Sequence, residues 1–530
     1  MKGEKRKLVI SKTITFLFIV GFIILFKSIF GDENTLIGVT TITGALMFLE
    51  RNLTTRKGRY FIELLVLNIG LGIFSYIAGL NPTLALIFNF ISMFIIGYIF
   101  SYDIRSHMYV PFGLQYVFML AVPVDLSGLY KRVLSLIFSS IFIMVVQIIV
   151  NRNKIEKEGV PAIKNLIDIT IKLLKSEDVK KDKELKFKFE SISIKLKEVI
   201  YNSKKENFHI ETNGKAMIDI VIFLRSICNR KFEIEDKEMY IEALKKINLY
   251  IEEKRDLRTL NEIDFIDTDL DLKVISKLLI NLQNKKDKNN FIVSDELKSK
   301  NKLNRYFNKN SMSFRYAIRI GITIGLSSFI VDYFNIFQGK WMLFTIFALI
   351  QPYSEYGKIK TIQRMQGTFI GAVIAFVLFS LVNNPIIQSV FIIGVGYLDS
   401  FHKTYKEKMI YVTISAIGAS LILGGTFKMV STRLILIMLG VVISAIGNKF
   451  ILPYSIEDAK KELVHMYALN KEKIINEIRS ENKNGSLENL YIVSSLIEKK
   501  LYEFNYNEEI KNKKEEILDE YFTFKRKVLS

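Results

Sequence analysis

The chain of 530 residues holds one cysteine (Cys228), one tryptophan (Trp341), four histidines and seven prolines. A lone thiol excludes a disulfide framework within the chain and any iron–sulfur or multi-cysteine zinc site. Four histidines with no H-E-x-x-H leave no zinc-hydrolase pattern, and no G-x-x-x-x-G-K-[ST] is present to cradle the phosphates of ATP. The charged middle of the chain offers no nucleophile elbow or paired metal ligands either. We therefore expect neither an enzyme nor a protein with a resident cofactor.

Apolar sequence is what the chain has in excess. Half of the residues are hydrophobic and 12% aromatic, with a mean hydropathy of +0.23, while the 24% that are charged segregate from them. Runs approaching the ~20 residues needed to cross a bilayer as helix fall at 13–30, 36–49, 60–79, 83–100, 110–122 and 130–150. A second set falls at 314–331, 341–351, 365–382, 386–398, 409–424 and 433–452. About twelve crossings are expected. The basic start followed by an apolar run resembles a signal peptide, but no small-residue cleavage site follows Phe26, so the run is read as a retained first helix.

Positive charge sets orientation, because Lys and Arg beside short loops stay in the cytoplasm. The net charge is +20. Lys5, Arg6, Lys7, Arg51, Arg56, Arg59, Arg152 and Lys154 flank the first block on one side, and Lys358, Lys360, Arg364, Lys406 and Lys408 flank the second in the same way. Lys340, Lys428 and Arg433 are exceptions on the outer side. This places both termini inside a plasma or inner membrane and explains the basic excess without a nucleic-acid partner. Between the blocks, Lys/Glu/Asp-rich sequence with apolar residues at helical spacing (Ile192, Leu196, Val199; Ile218, Val221, Ile222) predicts a cytoplasmic helical domain. A polar break is expected at 285–290. After Pro453 the pattern returns to amphipathic helix, with a loop at 482–486. The expected division is 1–150 first transmembrane unit, 151–312 cytoplasmic helical domain, 313–452 second transmembrane unit and 453–530 helical tail.

The two blocks repeat one another. Asn81-Pro82 matches Asn384-Pro385, Gly97-Tyr98-x-x-Ser101-Tyr102 matches Gly396-Tyr397-x-x-Ser400-Phe401, and Arg132 matches Arg433, in the same order and always at an offset of about 300 residues. The expected fold class is thus an all-α polytopic membrane protein of two parallel six-helix repeats related by an axis along the membrane normal.

An ionisable group within a bilayer is costly unless it serves a site or snorkels to the interface. Arg315 and Arg319 share a face of the seventh crossing; Arg319 lies more than one turn in, where a guanidinium can hold a carboxylate or snorkel. Trp341 is either an interface anchor or an aromatic wall for a ring. Gln351-Pro352 either ends a helix or lines a pathway. Asn68 and Asn89 either bond across helices or line a cavity. Asp399 and Asp103, at related helix ends, are proton-coupling candidates with ordinary solvation as the alternative, and His402 stands one turn from Asp399. Gly321, Gly325, Gly367 and Gly371 are read as close-packing positions.

The second block resembles the fusaric-acid-resistance and aromatic acid exporter (FUSC) family. The resemblance rests on Arg315-Tyr-Ala-Ile-Arg319, on Trp341-Met-Leu-Phe-Thr345 leading to Gln351-Pro352, and on Arg364-Met-Gln-Gly367-Thr368-x-x-Gly371. It implies proton-driven export of aromatic or hydroxylated carboxylic acids, with the lipid bilayer and a small organic anion as partners and homo-oligomerisation left open. On this reading Arg319 holds the carboxylate and Trp341 the ring, while Arg364 and Thr368 form the cytoplasmic mouth. The rivals are a passive organic-anion channel and a membrane-anchored scaffold or sensor acting through its helical domain.

Overall fold

In a computed structural model, the described residues are all of the chain except 1, 105, 204–211, 231, 254–269, 284–308, 383, 403, 423–426, 480–486, 507–519, 525 and 528–530. The expected break at 285–290 and loop at 482–486 lie outside them. Among the described residues the chain is helical and without strands. The first block comprises α1 (Lys2–Phe30), α2 (Thr35–Met47), α3 (Lys57–Ala78), α4 (Pro82–Phe100), α5 (Tyr109–Ala121) and α6 (Leu126–Asn151). Then come α7 (Lys154–Lys175), α8 (Val179–Asn202), α9 (Thr212–Asn229), α10 (Ile234–Glu253) and α11 (Leu270–Gln283). The second block holds α12 (Met312–Tyr333), α13 (Lys340–Leu349), α14 (Ser354–Leu381), α15 (Pro385–Asp399), α16 (Tyr405–Ile422) and α17 (Phe427–Phe450), followed by α18 (Ile456–Arg479) and α19 (Leu487–Glu503).

The protein is a multi-pass membrane protein. Among the described residues, seven helical stretches are long and apolar enough to cross a bilayer, among them Arg6–Phe30, Met312–Tyr333 and Ser354–Leu381. Four of the expected crossings differ: α5, α13 and the apolar part of α15 are apolar but short, and α2 is not among the seven; the expected run at 409–424 extends outside the described residues. At ~1.5 Å per residue the 13 residues of α2 reach about 20 Å, against ~30 Å of hydrocarbon. Such half-spans survive because protein covers them: Ile37, Thr41, Phe112, Tyr116, Leu343 and Ile346 are buried. The long helices carry the opposite pattern, with Leu17 and Ile24 of α1 each 63% exposed and Phe369 of α14 72% exposed. That surface is stable only in contact with lipid.

The chain divides into two compact units, one of residues 1–47, 58–145 and 303–459, the other of 48–57, 146–302 and 460–530. In the first unit α4 and α12 pack along their length, as do α14 and α16. Glycine permits both approaches: a Cβ on Gly321 or Gly325 would meet the Phe90 or Leu86 carbonyl of α4 at 3.1 and 3.0 Å, and one on Gly371 would meet the Ile410 carbonyl at 2.7 Å and Thr413 Cβ at 2.8 Å. Because the obstacle at Gly371 includes main chain, Gly371→Val is expected to lower the melting temperature of the purified protein by an amount equivalent to about 1–3 kcal/mol of overpacking. An unchanged melt would show that α14 and α16 are not in contact there.

The second unit is a helical domain around Ile163, Leu166, Met217, Ile227, Leu244 and Ile275, all nearly inaccessible. The chain turns from α6 into α7 at Asn153, which adopts the left-handed conformation (φ 57°) that asparagine tolerates better than most residues. The tail is built into this core: buried Lys197 donates to Tyr491 Oη (3.1 Å) and Ser495 Oγ (2.9 Å), and Tyr521 Oη donates to Asp219 (3.2 Å). Cys228 lies against Thr170 Oγ1 at 3.3 Å; burial pushes its thiol up to about 11, which leaves it an inert neutral group at pH 7.

Candidate functional site: a polar helix break beside buried arginine

Ser311 caps α12, accepting the Phe314 amide, and fixes a helix whose inward face passes through Tyr316, Arg319 and Thr323, all buried. Arg319 has no exposed surface. Its Nη2 donates to the Pro352 carbonyl (2.8 Å), whereas Nε and Nη1 have no hydrogen-bond partner. Arg315, one turn nearer the helix start, instead donates to the Pro453 carbonyl (3.2 Å).

Pro352 belongs to a break in the chain. The helical ladder of α13 ends where the Ile350 amide meets the Ile346 carbonyl, proline supplies no donor, and α14 resumes at Ser354. The side chain of Gln351 fills the gap: its Nε2 donates to the Ala348 (2.9 Å) and Ile350 (3.2 Å) carbonyls, and its Oε1 accepts from Lys360 Nζ (2.9 Å) and Tyr109 Oη (3.4 Å). Asn448 of α17 donates to the Leu349 carbonyl (2.9 Å) and leaves its Oδ1 unpartnered. Tyr109 lies 4.9 Å from Tyr316, ring to ring, and 6.0 Å from Phe347. The break thus has aromatic walls.

Further along α14, Arg364 contacts Met409 Sδ (2.8 Å), Tyr405 Oη (3.5 Å) and Thr345 Oγ1 (3.4 Å), with Nε unpartnered, and the buried Thr368 hydroxyl has no partner. Lys360 Nζ stands 5.4 Å from the Tyr405 ring centroid. Among the described residues no carboxylate pairs with Arg319, Lys360 or Arg364. Of these cations only Arg319 is fully buried; leaving such a charge unpaired costs several kcal/mol, a cost that a negative ligand would offset.

Arg319 and Gln351 therefore meet at this break, whereas Arg364 and Thr368 stand about 15 and 21 Å further along α14 at ~1.5 Å per residue, where Arg364 touches Thr345 of α13. The other sequence candidates lie elsewhere. Trp341 opens α13, about 15 Å along the helix at ~1.5 Å per residue, with Phe344 at 5.0 Å and the Arg433 guanidinium over its ring at 4.5 Å. Asn68 bonds across helices, donating to Ser140 Oγ (2.8 Å) and accepting from Gln115 Nε2 (2.9 Å). Asn89 Oδ1 accepts from Tyr116 Oη (2.7 Å) while its Nδ2 is unpartnered. Asp103 lies in the bend after α4 and Asp399 ends α15, with one Asp399 oxygen buried and unpartnered. His402 bonds the Leu398 carbonyl (3.0 Å) and packs on Tyr411.

Sequence reasoning missed Tyr109 and Asn448, and it read Lys360 as a loop charge that gathers anions at the cytoplasmic mouth, not as a partner of Gln351. It also passed over Arg132, noted as a repeat marker although it sits inside an apolar helix. Arg132 is as buried as Arg319, yet it donates to Asn34 Oδ1 (3.2 Å) and to the Met119 (3.3 Å), Glu33 (3.2 Å) and Val122 (2.7 Å) carbonyls. It is a clamp with its donors in use. A cleft of about 230 Å³ lined by Ser75, Tyr76, Pro123 and Asp125 contains none of these cations.

Residues 326–447 match the family model described as "Fusaric acid resistance protein-like", a segment that includes α13 to α16, Gln351, Lys360 and Arg364. An uncharacterized protein of Haemophilus influenzae is 28% identical over 155 residues, which cover 28% of this chain and 21% of that protein. No solved structure matches. Within the second membrane block, residues 326–447 are thus similar to a fusaric acid resistance protein-like domain.

Proposed function

We propose that the protein exports small organic anions, aromatic carboxylates first among them, across the plasma membrane by proton-coupled alternating access between its two membrane blocks. The observation that carries this reading is the Arg319 guanidinium, inaccessible and unpaired, with two vacant donors at a helix break. A carboxylate matches those donors through charge-assisted bonds, and the rings of Tyr109, Tyr316 and Phe347 offer an aromatic body edge and face contacts. The match of residues 326–447, which include Phe347 and Gln351, to a fusaric acid resistance protein-like model supports the reading. With both termini cytoplasmic, Arg315, Lys358 and Lys360 raise the local concentration of anions at the inner mouth. Asp399 and Asp103 serve as the proton-coupling carboxylates. The two blocks act as parallel repeats: Gln147 Nε2 reaches the Phe48 carbonyl and Asn448 Nδ2 the Leu349 carbonyl, each bond spanning 99 residues from the last helix of a block to the end of its second.

Purified protein in liposomes loaded with radiolabelled benzoate tests the reading. With the membrane potential clamped, an imposed pH gradient is expected to accelerate benzoate release. Release that follows only voltage and the benzoate gradient would replace the exporter with a passive channel, and absence of flux would remove the transport function.

A further inference from the structure

The two breaks related by the Gln147 and Asn448 bonds differ in what occupies them. After α13, the Pro352 carbonyl takes the Arg319 guanidinium, which comes from the first helix of the same block, and vacant polar atoms remain at Arg319 Nε and Nη1 and at Asn448 Oδ1. After α2, the Leu49 carbonyl also takes a cation, but this is Lys154 from the start of α7. The first block has no equivalent of Arg319: α1 carries no basic residue between Lys12 and Lys27, and Phe16 and Phe18 stand in the corresponding stretch.

The polar groups at this first break are in use. Asn151 Nδ2 donates to the Leu49 (3.3 Å) and Arg51 (3.2 Å) carbonyls. Gln147 Oε1 accepts the Leu53 amide (3.2 Å) and Asn151 Nδ2 (2.8 Å), and the Asn52 amide donates to the Asn202 carbonyl (3.2 Å). Lys154 has a carboxylate, Glu158, at 3.9 Å, so its charge needs no ligand. Residues 48–57 accordingly belong to the same compact unit as 146–302.

We propose that the chain holds one anion site, at the break after α13, and that its counterpart after α2 is closed by Lys154 and Asn151 and serves as a fixed anchor for the helical domain. The single-site part rests on the reading of Arg319 as an anion ligand; the anchor does not.

Hydrogen–deuterium exchange on the full-length protein separates the two parts. Without ligand, Lys154→Met or Asn151→Ala is expected to speed exchange of amides 50–56 about tenfold or more, as loss of charge-assisted bonds at a local opening implies, with 349–357 unchanged and Lys154→Arg restoring protection. Unaltered exchange at 50–56 in both variants overturns the anchor. With benzoate on the unsubstituted protein, protection is expected at 349–364 and none at 48–57, with one benzoate bound per chain by equilibrium dialysis. Matching protection at 48–57, or two benzoates per chain, overturns the single site. Absence of protection and of binding overturns the anion reading of Arg319 together with the single site, while the ligand-free experiment still decides the anchor.

Discussion

Replacing Arg319 by methionine is expected to abolish anion binding without destabilising the protein, and to raise its melting temperature. Methionine fills much the same space, and what it removes is a fully buried cation with one bond to the Pro352 carbonyl and two vacant donors. Exchanging a buried charge for an apolar side chain of similar volume is often neutral or stabilising by about 1–4 kcal/mol. For the ligand, losing one member of a buried charge pair costs about 2–5 kcal/mol, so affinity for benzoate falls about 30-fold or more. The check is thermal melting and equilibrium dialysis on one preparation. A variant that melts lower and binds as before would make Arg319 a structural clamp.

Arg132→Met is expected to do the reverse. The substitution leaves the buried Met119 carbonyl and Asn34 amide oxygen, and the part-buried Glu33 and Val122 carbonyls, without their donor, and each orphaned buried group costs about 1–3 kcal/mol. Allowing for partial rescue by water, the loss is about 3–5 kcal/mol. The consequence is a melting temperature lower by roughly 5–15 °C or a chain recovered in low yield. Residual folded protein should bind benzoate with unchanged affinity, since Arg132 lies outside the break. An unaltered melt would mean that these bonds are not made. Two arginines of equal burial thus have opposite predicted effects, and the difference lies in their partners.

Those partners also separate what was legible in the sequence from what was not. Long apolar runs such as 13–30 and 314–331 announced membrane helices because only length and hydropathy were needed. The runs at 36–49 and 341–351 were read as crossings although α2 and α13 are half-spans, since hydropathy does not distinguish a helix covered by protein from one covered by lipid. Arg319 was legible through the rarity of charge inside an apolar helix, and Gln351-Pro352 through the missing donor of proline. The role of Arg132 was not, because most of its partners are main-chain carbonyls, which leave no side-chain signature. Nor was the Lys360–Gln351 bond, which forms across a helix break whose geometry hydrophobic spacing does not encode. The ring of Trp341 was a candidate wall for a ligand; that Arg433, ninety-two positions away, covers it is a fact of tertiary packing.

The central claim is that an organic anion binds at the break after α13 through Arg319. Its most direct measurement is an experimentally determined structure of the full-length protein with 4-iodobenzoate, in which the iodine marks the ring and fixes the direction of the carboxylate. The account predicts the carboxylate within hydrogen-bond distance of Arg319 Nε or Nη1, with the ring among Tyr109, Tyr316 and Phe347. A ligand bound with its carboxylate elsewhere, with Arg319 still bonded only to the Pro352 carbonyl, would contradict it.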